Sequence, residues 1–182
     1  MRSDKIVCKL TRGGIGIGPY RFMDNTWGYV VIPECTHRDY HKMSWGLCGI
    51  DTNDYLNDNK DRISGMDRCK HLDRYNNELG VGSFRPGCIP HLYCKNFVCD
   101  NCNDYFLPNL NELLFITRHK DIINECDPRL SSTRLSVIDY VWSSTSYSKC
   151  ITYIVHIPSN TVSIENRYRS LQVLPIRKSL IL

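Results

Sequence analysis

The sequence predicts an α+β fold, and three observations predict it. Asn109 is followed three residues later by Glu112, the spacing of a reciprocal capping box at a helix start. Residues 151–157 alternate as a strand, with Ile151, Tyr153, Val155 and Ile157 on one apolar face and Pro158-Ser159-Asn160 as the hairpin turn. The patterns also come in segregated order along the chain: strand, strand, loop, helix, loop, helix, then a run of antiparallel strands.

Taken in order, residues 5–10 alternate as a first strand. Gly13, Gly14, Gly16 and Gly18 follow, spaced as a turn; with no helix pattern after them they do not make a phosphate loop. Residues 27–32 are apolar and β-branched, a second strand. Residues 33–61 are polar and read as a long surface loop. The carboxylates and amides around Asp51, Asp54 and Asp58 offer oxygens for calcium, but without EF-hand spacing a solvated turn is the simpler reading. Ile63, Met66, Cys69 and Leu72 recur at helical spacing over residues 61–73, and Gly80, Gly82 and Pro86 break the pattern. The second helix starts at Asn109, buries Leu110, Leu113, Leu114 and Ile116, and ends before Pro128. Residues 137–142, 150–157, 161–165 and 171–176 are strands, with the first and last strands of the chain free to pair.

At 182 residues the chain is long enough for one well-filled core. A net charge of +4, spread along the sequence, sets up no field that points to nucleic acid. No window approaches a membrane span, and the apolar stretch near the N-terminus is too short for a secretory signal. Release by lysis, as for a virion component, fits a protein that works outside a cell on those terms. Ten cysteines permit a disulfide framework, but nothing in the sequence shows an oxidising compartment, so mostly reduced, buried thiols are expected.

The sharpest chemical cluster is Cys88-x-x-His91-x-x-Cys94, followed by Cys99-x-x-Cys102. Cys99 and Cys102 form one knuckle, and Cys94 with His91 or Cys88 would complete a tetrahedral zinc site. A second Cys-x-x-Cys is missing, so zinc, local disulfides and packed free thiols all stay open. Cys48, in Trp45-Gly46-Leu47-Cys48-Gly49, is a conceivable nucleophile with His156 as a distant base. His156, however, reads as a sheet residue, and no oriented third group is evident.

Four phrases in the last third carry a family resemblance. Residues 105–113, containing Leu107-Pro108 and Glu112-Leu113, resemble the helix phrase of the Lcl C-terminal-like domain. Trp142-Ser143-Ser144-Thr145, the hairpin over 153–164, and Val173-Leu174-Pro175-Ile176-Arg177 resemble its other three phrases. That family occurs in bacterial surface adhesins and phage tail proteins and is related to the C-type lectin-like and formylglycine-generating folds. The match covers residues 104–178; it departs at the hairpin turn, at Leu174 in place of an arginine, and at the cysteine-rich stretch. The resemblance implies a C-type lectin-like fold with two helices, an antiparallel sheet and long irregular loops that display contact residues. Trp142 is expected in the core rather than stacked on sugar, and Arg177 in a buried pair with a carboxylate.

The expectation is therefore a single domain over residues 1–182 with a cysteine-rich insertion near 85–102. Its expected role is non-enzymatic: a recognition or structural module of a phage tail or fibre or of a bacterial surface. Expected partners are a cell-surface glycan, a protein receptor or neighbouring virion subunits, including copies of itself, and neither nucleic acid nor membrane. Tyr40, Trp45, Tyr55, Tyr147 and Asn160 are the candidate contacts by residue type. The alternative is an intracellular zinc-knuckle protein that binds nucleic acid or a partner protein, with Cys94, Cys99, Cys102 and His91 as ligands. A cysteine hydrolase built on Cys48 is a third class.

Overall fold

The computed structural model describes residues 6–11, 14–33, 42–50, 52, 64–78, 88–99, 101–126, 135 and 138–181. In chain order the strands are β1 (Val7–Thr11), β2 (Gly14–Arg21), β3 (Trp27–Ile32) and β4 (Lys42–Met43). Helices α1 (Gly65–Glu78), α2 (Ile89–Lys95), α3 (Leu110–Arg118) and α4 (Lys120–Cys126) follow. Strands β5 (Tyr140–Ser146), β6 (Ile151–His156), β7 (Thr161–Asn166), β8 (Leu171–Gln172) and β9 (Arg177–Leu180) complete the order. The described strands form a four-stranded sheet, β1-β2-β3-β9, and a five-stranded sheet, β4-β8-β5-β6-β7. The fold is α+β. A contiguous cluster of buried apolar side chains joins both sheets, from Ile15 and Val30 to Trp142, Ile154 and Leu174, with Leu72, Leu113 and Ile116 of the helices.

Several elements differ from the pattern reading. The glycines after β1 are not a turn: Gly14, Gly16 and Gly18 lie within β2, alternating with fully buried Ile15 and Ile17 at the period of a strand. The last strand does reach the N-terminal sheet, but it pairs with β3, Gly28 opposite Leu180 and Val31 opposite Arg177, and not with β1. Residues 171–176 are not one strand. Pro175 has no N–H to donate, and the chain crosses from β8 in one sheet to β9 in the other on either side of it. Helix α1 begins four residues after the expected start, just past Ser64, whose hydroxyl accepts the Asp67 N–H at 3.1 Å, and runs past Asp73 because Leu72 and Tyr75 are both buried. Helix α2 was not expected; Pro90 sits in its first turn, where no N–H is needed. The helix from Asn109 forms as expected but breaks at His119, and α4 takes over. Segment 44–50 is no surface loop, since Trp45 and Leu47 are buried.

Three of the four sequence phrases meet at the start of α3, and the hairpin joins them through β5. The Asn109 side chain accepts the Glu112 N–H at 2.8 Å, and Glu112 Oε2 accepts the Asn109 N–H at 2.8 Å, closing the capping box. The next free donor, Leu110 N–H, goes to Thr145 Oγ1 at 3.1 Å, while Ser144 N–H donates to Pro108 O at 2.8 Å. Phe106 and Ile176 exchange both backbone bonds, at 2.8 and 3.1 Å, which ties in the closing phrase. Trp142 pairs with Ile154 of the hairpin, is fully buried, and donates its Nε1–H to Met43 O at 2.7 Å, a core residue as expected. Of the expectation for Arg177 the burial holds; the groups beside it are the Tyr105 phenol and the Thr11 hydroxyl.

Glu112 also reaches a second helix. Its Oε1 accepts the Gly65 N–H at 3.2 Å, so one buried carboxylate serves the N-termini of α1 and α3 together. Gly65 is obligatory there: an added Cβ would lie 2.4 Å from Glu112 Oε2 and 2.7 Å from Leu107 O. Burial pushes the Glu112 carboxyl up to about 7, against the pull of the Asn109 and Gly65 N–H groups and of nearby Arg68.

Two outcomes are expected. Gly65→Ala lowers stability by about 1–3 kcal/mol in urea denaturation, because the crowding atoms are backbone and a capped carboxylate. Glu112 binds its proton more tightly folded than unfolded, so its ionisation opposes folding. The stability of the wild type relative to Glu112→Gln is highest below pH 4.5 and falls by about 3 kcal/mol as pH rises past 7. Paired urea titrations between pH 4 and pH 8 check the sign.

Candidate recognition site

At one end of the five-stranded sheet three segments gather around a buried cation: residues 44–50, the β5–β6 connection, and the turn after β7. Arg167 has 0% exposure. A guanidinium out of water is tolerated only if its N–H groups are accepted, and here they are. Nε donates to Thr152 Oγ1 at 3.0 Å, and Nη1 donates to Leu47 O at 2.9 Å and Ile50 O at 3.0 Å. Nη2 donates to Ser146 Oγ and Ser148 O, each at 2.8 Å, and to Thr52 Oγ1 at 3.3 Å. The Trp45 ring lies 4.3 Å from the guanidinium carbon, and its Nε1–H donates to Ser143 O at 3.0 Å. Backbone bonds repeat the connection: Trp45 N–H to Arg167 O, Arg167 N–H to Cys150 O and Gly49 N–H to Lys149 O, all at 2.9 Å. Residues 46–49 can bend this tightly because Gly46 and Gly49 take φ of 78° and 87°, with Leu47 also left-handed at 48°.

This clamp presents two aromatic rings to solvent. Tyr168 is 75% exposed and directly follows Arg167, and Tyr147 is 54% exposed and directly precedes Ser148, whose carbonyl Arg167 holds. Tyr147 N–H donates to Ile151 O at 3.0 Å, and its ring meets Tyr153 edge-on with centroids 5.6 Å apart. Tyr153 stands opposite Ile164 of β7, an edge strand whose Ile164 and Val162 are exposed. A tyrosine on a fixed backbone offers an apolar face for stacking and a hydroxyl for hydrogen bonding at small entropic cost.

The described members of the expected contact set do not assemble into one site. Trp45 is corrected: it is fully buried under Arg167 and unavailable to a ligand. Asn160 is in the β6–β7 turn with φ 55°, accepts a hydrogen bond from the Thr117 hydroxyl, and so fixes the hairpin to α3. It lies at the far end of β6 from Tyr147, roughly 20 Å away at strand rise. Tyr40 and Tyr55 lie outside the described residues. Tyr168 escaped the sequence reading although the criterion that selected Tyr147, an aromatic in a polar turn, applies to it equally. Arg167 had no such signal, since its partners Leu47, Ile50 and Thr52 are more than a hundred residues away.

The cysteine-rich stretch is pulled apart. Cys88 and Cys94 face the core, where burial pushes the Cys88 thiol up to about 12 and Cys94 well above the usual thiol range. His91 Nε2 is 2.8 Å from Asp73 Oδ1, which also takes the Lys95 ammonium at 2.8 Å. Cys99 and Cys102 face each other across a separate turn, with backbone bonds of 3.0 and 2.8 Å. Among the described residues no three His, Cys, Asp or Glu side chains converge as metal ligands, and the described cysteines are free thiols. The calcium candidates Asp51, Asp54 and Asp58, and Cys35, lie outside the described residues. Cys48 and His156 are not partners: His156 Nε2 is 3.0 Å from Asp139 Oδ1 and its ring lies against Tyr140, while the Cys48 thiol has the Cys150 thiol as its hydrogen-bond partner. Among the described residues no helix is long and apolar enough to cross a membrane.

No family model and no curated protein sequence matches the chain. The geometry of the site therefore carries the functional reading. Replacing Arg167 by Lys is expected to cost about 2–4 kcal/mol, since a single ammonium cannot reach acceptors on three segments and leaves buried carbonyls unpaired. Urea denaturation gives the loss, and faster amide exchange at Gly49 and Tyr147 localises it.

Proposed function

We propose that the chain is a non-enzymatic recognition module of C-type lectin-like kind, carried by a phage virion or a bacterial surface, that binds a cell-surface glycan or a protein receptor. One observation carries the reading: Tyr147 and Tyr168 stand exposed on turns whose backbone is pinned by fully buried Arg167. Rings held in place before binding lose little freedom when a ligand stacks on them, so modest contact area gives useful affinity. The junction at α3 supports the family resemblance, because three of the phrases that suggested it meet there through hydrogen bonds and the fourth, the hairpin, pairs with β5. Residues 1–182 as one domain, with homo-oligomers or contacts to neighbouring virion subunits, belong to the same proposal. The zinc-knuckle alternative finds no favouring observation among the described residues.

A glycan array and a whole-cell binding assay test the reading together. Tyr147→Ala and Tyr168→Ala are each expected to weaken binding at least about tenfold while the unfolding midpoint stays unchanged, with Asn160→Ala and added chelator having little effect on binding. Binding that survives the tyrosine double variant, or vanishes with chelator, contradicts it.

A further inference from the structure

Cys48 and Cys150 are 102 positions apart in sequence and meet beside the Arg167 clamp. Gly49 N–H donates to Lys149 O at 2.9 Å, so the residues flanking the two cysteines are locked in register. Cys150 O in turn accepts the Arg167 N–H at 2.9 Å, and Leu47 O accepts from the Arg167 guanidinium at 2.9 Å. The two thiols share a hydrogen bond, and both are partly open to solvent. The other core thiols differ: Cys69, Cys88 and Cys94 are buried among apolar side chains.

We propose that Cys48 and Cys150 form a redox-active thiol pair that closes into a disulfide by exchange with a low-molecular-weight disulfide. The Cys48 thiolate attacks one sulfur of RS–SR; that S–S bond breaks and RS⁻ leaves. The Cys150 sulfur then attacks the Cys48 sulfur of the mixed disulfide, its proton passes to solvent, and the second RS⁻ leaves. Two protein thiols are oxidised and one small disulfide is reduced to two thiols. The environment assigns the roles. Slight burial of Cys48 is outweighed by hydrogen bonds from Cys150 and the Tyr168 phenol and by the Arg167 charge, so its thiol is held below the usual range. Sharing that hydrogen bond raises the Cys150 thiol, which suits the resolving partner. The bond would staple residues 47–50 to the β5–β6 connection and seal the clamp from outside. The Tyr168 phenol is common to both proposals, but disulfide formation and ligand binding are read by separate assays, so either proposal can fail without the other.

The test uses the full, reduced chain under native conditions with glutathione disulfide, acid quenching and peptide mapping. The Cys48–Cys150 link is expected first, at least tenfold faster than any modification of Cys69, Cys88 or Cys94, and to raise the unfolding midpoint by about 5–10 °C. The Cys8–Cys126 pair, which also shares a hydrogen bond but in which burial raises the Cys8 thiol, is expected to lag. Cys150→Ser is expected to trap glutathione on Cys48. No Cys48–Cys150 link while the chain stays folded, or Cys48 reacting no faster than Cys94, overturns the proposal; the wild-type experiment decides this even if a variant fails to fold.

Discussion

Glu112 accepts the first N–H of α1 and the N–H of the residue before α3, and it does so with no exposed surface. Helix starts leave N–H groups that water must otherwise satisfy, and inside a core there is no water to do it. One side chain solves this for two helices and fixes their relative placement. Because Leu110 N–H is taken by Thr145 and Pro108 O by Ser144, the same junction anchors β5, and the Phe106–Ile176 exchange anchors the crossing from β8 to β9. Both sheets are thereby referred to residues 106–112.

The display end follows from that anchoring at one remove. Strand β5 leaves the α3 junction at Thr145 and reaches the Arg167 clamp at Ser146, one residue later. The two polar centres are thus in series along one strand, and both exclude solvent. They differ in charge logic. The carboxylate is set against helix N-termini, which carry partial positive charge, whereas the guanidinium is set against carbonyls and hydroxyls that carry partial negative charge. Tyr147 follows immediately and projects to solvent, so its backbone inherits its position from both centres.

Much of this was legible locally and little of it at long range. The capping box was readable because Asn109 and Glu112 are three residues apart and their reciprocal bonds need nothing else. The hairpin was readable because β-branched and aromatic residues fill 151–157 and Pro158-Ser159-Asn160 cannot continue a strand, but its inward face was not: Thr152 and Ile154 are buried with Val155 and Ile157, while Ile151 and Tyr153 are partly exposed. The second role of Glu112 was not readable: Gly65 is forty-seven residues away, and only the fold brings its N–H to the carboxylate. Trp45 shows the same limit, since an aromatic in a polar stretch looks exposed until Arg167 is found over it. The cysteines misled for the converse reason. Close spacing from Cys88 to Cys102 suggested a common centre, yet helix α2 turns its thiols into the core, and the thiols that do meet, Cys48 with Cys150, lie far apart in sequence.

Native-state amide exchange tests the central claim most directly, because it reads the named N–H groups one at a time. If residues 106–112 anchor both helices and both sheets, the amides of Gly65, Asn109, Leu110 and Glu112 exchange only through global unfolding, with one common free energy equal to that from denaturation. If Gly65 opens at markedly lower free energy than the β5–β6 amides, the two helices are not held by one carboxylate, and the account is contradicted.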